Sequence, residues 1–192
     1  MLPLACGGSL PIAHGRWIRM SCYRGRMKAR TVNKKDELLS QLEHLVDELD
    51  AMQSVVDTLH DDVLSLSPLQ HEPSIKELYA LIGLYDQNVY LRSIRAILRE
   101  ERPTLVDGDD DELIEGHRWN EEPFAHILDF ARQTRIELVS ALRSVSSEEW
   151  ERQARIGERT LTLFEVAYGI IQHDAQILRA AASRLHDSRW SS

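Results

Sequence analysis

Of the eight histidines in the sequence, His173 has the position best suited to chemistry. It falls in phase with Ile170 and Ile177 along an apolar stripe, so its imidazole points into a helical core. Two readings of that placement stand side by side. A core histidine commonly hydrogen-bonds a neighbouring helix and does nothing further. Alternatively it is a lone polar anchor in a small pocket, opened by Gly169 one turn earlier, where a neutral imidazole can serve as a catalytic general base. Tyr85 and Asp86 are the other candidates for that pocket, with Asp86 following an apolar turn and pairing with Arg92 or His173. Tyr79, Tyr85, Tyr90 and Tyr168 either line the cavity or pack with their hydroxyls at its rim. His44, His60, His71, His117, His126 and His186 fall at helix ends, in loops or at mixed positions, and His14 lies near the N-terminus. No two histidines form a His-x-x-x-His pair.

Other chemistries find little support. A serine nucleophile needs a strand-turn-helix elbow, and no such pattern occurs. Cys6 and Cys22 both lie in the first 26 residues, so the remainder has no disulfide, no thiolate metal ligand and no cysteine nucleophile. The acidic run Asp107-Gly108-Asp109-Asp110-Asp111 lacks the spacing and flanking helices of an EF-hand and reads as a solvated loop. Lys+Arg 23 against Asp+Glu 31 leaves a net charge of −8, which disfavours a nucleic-acid backbone as partner. No apolar run of about 18 residues is present to span a membrane.

Elements that would position His173 begin after a contrasting N-terminal stretch. Residues 1–26 hold Arg16, Arg19, Arg24 and Arg26, no acid, and four of the nine glycines. Met1–Ala13 is too broken by glycine and proline for a signal peptide, so residues 1–30 read as a disordered basic extension or an upstream start, with Met20 or Met27 as the alternative initiator. A targeting arm is the sharper reading of the same residues. Lack of a signal and the cysteine-free remainder point to a cytoplasmic protein.

Residues 31–188 carry four long helical patterns, with 189–192 as a tail. Leu38, Leu42, Leu45, Leu49, Met52, Val56 and Leu59 mark a first helix from about Lys34 to Leu59. Ser74 and Glu77 form a capping box for a second, whose series Ile75, Leu78, Ile82, Tyr85, Val89 drifts before Ile94 and Leu98. The segment Leu105–Arg118 is a polar loop. A third helix starts near Asn120 as cap and turns Phe124, Ile127, Leu128, Ala131, Ile136, Val139 and Leu142 inward. Ser146 to Glu149 is another capping box, and Gly157 marks a loop before the last helix, about Thr162 to Leu185. No segment alternates strongly enough for a strand. Helices of about 25 residues, or roughly 37 Å, close around one core as an all-α four-helix bundle.

Six local pieces, in order, resemble the DinB-like superfamily. They are Leu59-His60-Asp61-Asp62-Val63-Leu64, Ser74-Ile75-Lys76-Glu77-Leu78, Tyr90-Leu91-Arg92-Ser93-Ile94-Arg95, Trp119-Asn120-Glu121, Ser147-Glu148-Glu149-Trp150 and Leu161-Thr162-Leu163-Phe164-Glu165-Val166. Two aromatic positions depart from that pattern, with Leu66 and Pro73 where tryptophan is usual. The resemblance implies a divalent metal held by three histidines, one on helix two and a His-x-x-x-His pair on helix four. Imidazoles at i and i+4 share a helix face, and a third from a neighbouring helix leaves a coordination position open.

The matching positions here are Leu81, His173 and Ile177, so one ligand of three is retained and no metal or other cofactor is expected. A substitute set would draw on Tyr85, Asp86, Asp174 or Gln176. The resulting expectation is a metal-free module for an unknown small molecule or an interaction partner. The alternative is a nickel, zinc or manganese thiol transferase or hydrolase with a shifted ligand set around His173. The resemblance also implies pairing into homodimers through helix faces, toward which Trp119 and Trp150, read as exposed, would contribute.

Overall fold

The structure, a computed structural model, describes residues 27–56, 59–67 and 72–190. Cys6, Cys22, His14, His71 and the arginines of the extension lie outside the described residues, as do Met20 and Ser191–Ser192. Helix α1 (Met27–Val56) is followed by the short α2 (Asp61–Ser65). Helix α3 (Ile75–Tyr85) continues through one π turn (Asp86–Tyr90) into α4 (Leu91–Arg99), making a single rod. Strand β1 (Thr104–Leu105) and α5 (Asp110–Ile114) lead to α6 (Phe124–Arg143). Strands β2 (Gln153–Ile156) and β3 (Arg159–Thr162) precede α7 (Leu163–Trp190). The four rods α1, α3–α4, α6 and α7 are the expected bundle.

Helix α1 begins seven residues before Lys34 and stops three before Leu59, while α7 runs past Leu185. The Ser74 box forms as expected: Ser74 Oγ accepts from the Glu77 amide at 3.1 Å, and Glu77 Oε2 accepts from the Ser74 amide at 2.7 Å. Asn120 does not cap α6. Pro123 takes that place, and Asn120 sits in a 3-10 turn (Trp119–Glu121) that ties down the start of α3. Its Oδ1 accepts from Ser74 Oγ at 2.6 Å, its Nδ2 donates to Glu77 Oε1 at 3.0 Å, and its carbonyl accepts from the buried Lys76 ammonium at 3.2 Å.

The fold also contains a small sheet that the sequence pattern does not announce. Strand β2 pairs in parallel with β1, through Thr104 opposite Arg155, and antiparallel with β3, through Ala154 opposite Leu161. Gly157, at φ +57°, makes the tight turn between β2 and β3. Strands of two to four residues are too short for alternation to show, and the β1–β2 pairing joins segments about fifty residues apart, which no local pattern reveals.

Two apolar clusters fill the bundle. One gathers Leu38, Leu42, Leu91, Ile94, Leu138, Leu142, Leu163 and Ile170, and the other Leu45, Leu49, Ile75, Leu78, Leu81, Leu128, Ala131 and Ile177. Ile136, expected inside, is 41% exposed. The true inner series of α6 passes from Ala131 through Thr134 and Arg135 to Leu138, and a search for apolar residues steps over those two. Trp150 also departs from expectation: it is buried in the first cluster, with Lys35 Nζ 5.2 Å from its ring centre. Trp119 is half-buried and stacks on Phe130 with ring centroids 5.5 Å apart.

Candidate functional site

Between the two apolar clusters lies a layer of three charges. Asp86 opens the π turn, Arg135 sits mid-way along α6, and Asp174 lies one residue after His173 on α7. Their exposures are 0%, 0% and 7%. The guanidinium bonds to both carboxylates in bidentate fashion. Nε donates to Asp86 Oδ2 at 2.7 Å and Nη2 to Asp86 Oδ1 at 3.1 Å. Nη1 donates to Asp174 Oδ2 at 2.7 Å and Nη2 to Asp174 Oδ1 at 2.9 Å. Charge-assisted bonds of this length and fork geometry are among the strongest that side chains make.

Burial pushes the Asp86 carboxyl up to about 6, with Arg135 restraining the rise and Asp174 adding to it. The group is therefore ionised at neutral pH. Burial works against the charge on Arg135 as well, yet the two carboxylates more than offset it and hold its pKa above the ordinary arginine value. The expected partners of Asp86 are Arg92 and His173. Arg92 instead lies exposed, because the π turn aims Asp86 across the bundle at α6. Sequence reasoning passes over Arg135 itself. The available signal is its phase, since a charged residue in step with Ala131, Leu138 and Leu142 must be either buried and paired or misplaced.

Next to this layer, His173 meets two tyrosines. Its ring centroid is 4.0 Å from that of Tyr85 and 6.0 Å from that of Tyr90. Nδ1 is buried without a hydrogen-bond partner among the described residues, so the expected bond to a neighbouring helix is not made through that atom. Burial lowers the imidazole pKa, against the pull of Asp174 and Asp110, and His173 is neutral at physiological pH. Tyr85 donates its hydroxyl to Asp110 Oδ1 at 2.7 Å. Burial, together with that bond and the neighbouring Asp109 and Asp107, raises the Tyr85 pKa well above the ordinary range.

The acidic segment is thus more than a solvated loop. Asp109 Oδ1 caps α5 by accepting from the Glu112 amide at 3.0 Å, and the segment lies against Tyr85. Gly108 permits that approach, since a Cβ there would stand 2.4 Å from Tyr85 Cε1. Of the remaining pocket candidates, Gly169 has no atom within 4 Å of where a Cβ would be apart from its chain neighbours and its own helix backbone, so space is open beside it. Tyr168 is half-exposed on α7.

The residues present do not fit a three-ligand divalent site. Leu81 and Ile177 are buried among apolar neighbours. Asp86 and Asp174 spend all four oxygens on Arg135, the Tyr85 hydroxyl is committed to Asp110, and Gln176 faces outward. Among the described residues no group of three or more His, Cys, Asp or Glu is arranged to hold a metal ion. What the arrangement offers is a neutral imidazole set among tyrosine rings, backed by a closed ion cluster. No helix among the described residues is long and apolar enough to cross a membrane.

Comparison with known proteins gives a family. No curated protein matches in sequence. Among solved structures, YfiT from Bacillus subtilis is similar in fold, with a TM-score of 0.59, 16% identity, and coverage of 85% of this chain and 94% of that one. That protein is described as a probable metal-dependent hydrolase with an unusual four-helix bundle topology. The family model of the DinB superfamily matches residues 35–179, most of the bundle and all of the site residues. The chain belongs to the DinB superfamily.

Proposed function

We propose that the protein is a metal-free member of its superfamily, acting as a small-molecule binding or interaction module with a degenerate metal site. One observation carries the reading: both buried carboxylates near His173 are neutralised by Arg135, while Leu81 and Ile177 stand where the superfamily resemblance places imidazoles. A small ligand would meet the face made by His173, Tyr85 and Tyr90, with room beside Gly169. Partner binding or homodimer formation would use the outer groove of α6, about 750 Å³, where Phe130 and the exposed Ile136 lie near Gln87. A cytoplasmic setting suits a bundle that has no cysteine from residue 27 onward.

The test is total metal by inductively coupled plasma mass spectrometry on tag-free protein grown in metal-supplemented medium. A substoichiometric content, with a melting temperature that chelator leaves unchanged, supports the reading. One equivalent of nickel, zinc or manganese would reject it. A second reading, a metal-dependent hydrolase or thiol transferase with a shifted ligand set around His173, draws support from the description of YfiT. It requires His173→Ala to abolish both metal content and turnover, and unchanged metal content in that variant rejects it.

A further inference from the structure

We propose that residues 106–118 are a lid over the His173 face, latched where the Tyr85 hydroxyl meets Asp110, and that movement of this lid decides access to the imidazole. The inference rests on the reading above of that face as the ligand site, and adds the way in. Both ends of the segment are fixed. Before it, Thr104 and Leu105 pair with Arg155 and Ile156 in the sheet. After it, Asn120 is bonded to Ser74 and Glu77 at the start of α3. No residue from Val106 to Arg118 is fully buried, and the backbone bonds at the ends of α5 stay within the segment. Leu113 and Ile114 are its partly buried apolar contacts with the bundle. Among the described residues, the Tyr85–Asp110 bond at 2.7 Å is the one hydrogen bond from the segment to a rod.

Part of the segment also stands off from the bundle. A cleft of about 640 Å³ is lined by its Asp109, Asp111, Glu112 and Glu115 together with Glu72 and Glu77, and by no basic residue. Like charges around that cleft repel and favour its widening. A segment with few apolar contacts, a single bond to the rods and a repulsive cleft belongs to the low-stability end of a fold, which opens locally while the core stays closed. Tyr85 links this segment to the site. Its ring centroid lies 4.0 Å from that of His173, its hydroxyl is held by Asp110, and Gly108 leaves no space for a Cβ beside its Cε1. Asp110 is also near enough to act on the charge of His173. Lifting the segment therefore uncovers Tyr85 and His173 together, and frees a phenol hydroxyl beside a neutral imidazole. Such a lid admits a ligand and then shields it from water.

The experiment treats the full chain, Asp110→Ala and Gly108→Val with diethyl pyrocarbonate at neutral pH, and reads each histidine by peptide mass spectrometry. The exposed His44 and His126 serve as internal references, and circular dichroism checks that each variant keeps its helical signal. His173 is neutral and therefore in its reactive form, so slow reaction in the wild-type protein reports cover and not charge. His173 is expected to react more slowly than His126 in the wild-type chain. Loss of one hydrogen bond of ordinary net strength should raise its rate about fivefold in Asp110→Ala. Gly108→Val should raise it at least as much, because a Cβ 2.4 Å from Tyr85 Cε1 prevents the segment from seating. A His173 rate unchanged in either variant overturns the proposal, even where amide exchange across residues 107–114 speeds up. A wild-type His173 that already reacts as fast as His126 overturns it as well. Metal found on the wild-type protein would defeat the proposed function instead, and the modification rates, which use neither metal nor ligand, still give their own answer.

Discussion

Replacing Arg135 with methionine keeps most of its bulk and removes its charge, so it isolates the ion layer from packing. At pH 8 the variant leaves Asp86 and Asp174 without any of the four bonds that now satisfy them. Breaking a buried pair by removing one partner costs roughly 3–5 kcal/mol. Proton uptake caps the loss. Asp86 already titrates at about 6 with Arg135 beside it, and without that charge at least one carboxyl takes a proton near neutral pH. The sign follows from linkage. A carboxyl whose folded pKa lies above its unfolded value of 3.8 binds more protons when folded, so stability falls as pH rises toward the folded pKa. The variant is therefore less impaired at pH 5.5 than at pH 8, by about 1.4 kcal/mol for each unit of additional pKa rise. With unfolding entropy near 2.1 cal/mol/K per residue over about 160 described residues, a loss of about 4 kcal/mol lowers the melting temperature by about 12 °C. Urea unfolding followed by circular dichroism at both pH values measures the effect. Neutralising the two acids as well, by Asp86→Asn and Asp174→Asn, should restore most of the stability at pH 8. A loss under about 1 kcal/mol, smaller than the low end for a broken buried pair, would refute the reasoning. So would equal losses at the two pH values, or a triple variant no better than the single one.

Three further outcomes follow from the same site. Tyr85→Phe keeps the ring on His173 but removes the 2.7 Å bond to Asp110, costing about 1 kcal/mol and speeding amide exchange across residues 107–114; unchanged exchange there would show that the bond does not hold the segment. His173→Gln should flatten the acid side of the stability profile. Burial holds the imidazole below its ordinary 6.5, so as pH falls through that value the unfolded chain binds a proton the folded protein refuses, and stability is lost; Asp86, raised to about 6, works in the opposite sense and remains in the variant. Melting curves between about pH 7 and 5 decide this. Leu81→His with Ile177→His, joined to His173, should create a nickel or zinc site seen as a metal-dependent rise in melting temperature, and a folded variant indifferent to metal would show that these positions are not equivalent to the superfamily's ligands.

The bundle is legible in the sequence because its evidence is local. Leu38, Leu42, Leu45 and Leu49 repeat at helical steps, the Ser74–Glu77 box marks a helix start from four residues, and each of these is found in place. The drift after Val89 is legible too, and its cause is the π turn: one extra residue per turn shifts the inward face to Leu91, Ile94 and Ile97. What escapes is polar and long-range. Arg135 bonds residues 49 and 39 positions away, Asn120 bonds residues more than 40 positions away, and neither makes a pattern that apolar periodicity registers. Ile136 reads as a core residue only while Arg135, its neighbour, is held too polar for the interior. His173 and Tyr85 stand out because tyrosine and histidine on an inner face are conspicuous by type.

The π turn and the ion layer occur at the same level of the bundle, since Asp86 belongs to both. Residues before Asp86 on its rod pack into one apolar cluster and those after Tyr90 into the other, so the rod changes phase where the core changes from apolar to ionic. An uninterrupted α-helix through Tyr85 would leave Leu91, Ile94 and Ile97 rotated away from Leu138, Leu142 and Ile170. A widened turn corrects that rotation and, as its first residue, places Asp86 against α6. The bidentate bonds then require the α3–α4 rod, α6 and α7 to stand in a single axial alignment. Sliding the α3–α4 rod or α7 by a helical turn, about 5.4 Å, would break two bonds of about 2.7–3.1 Å, and sliding α6 would break all four, each stranding a buried charge. Apolar surfaces alone penalise such a slip weakly, because leucine packs on leucine in either register. The charge layer therefore selects the alignment, and the same alignment brings His173 onto Tyr85 and Tyr90, the face on which the proposed ligand would rest.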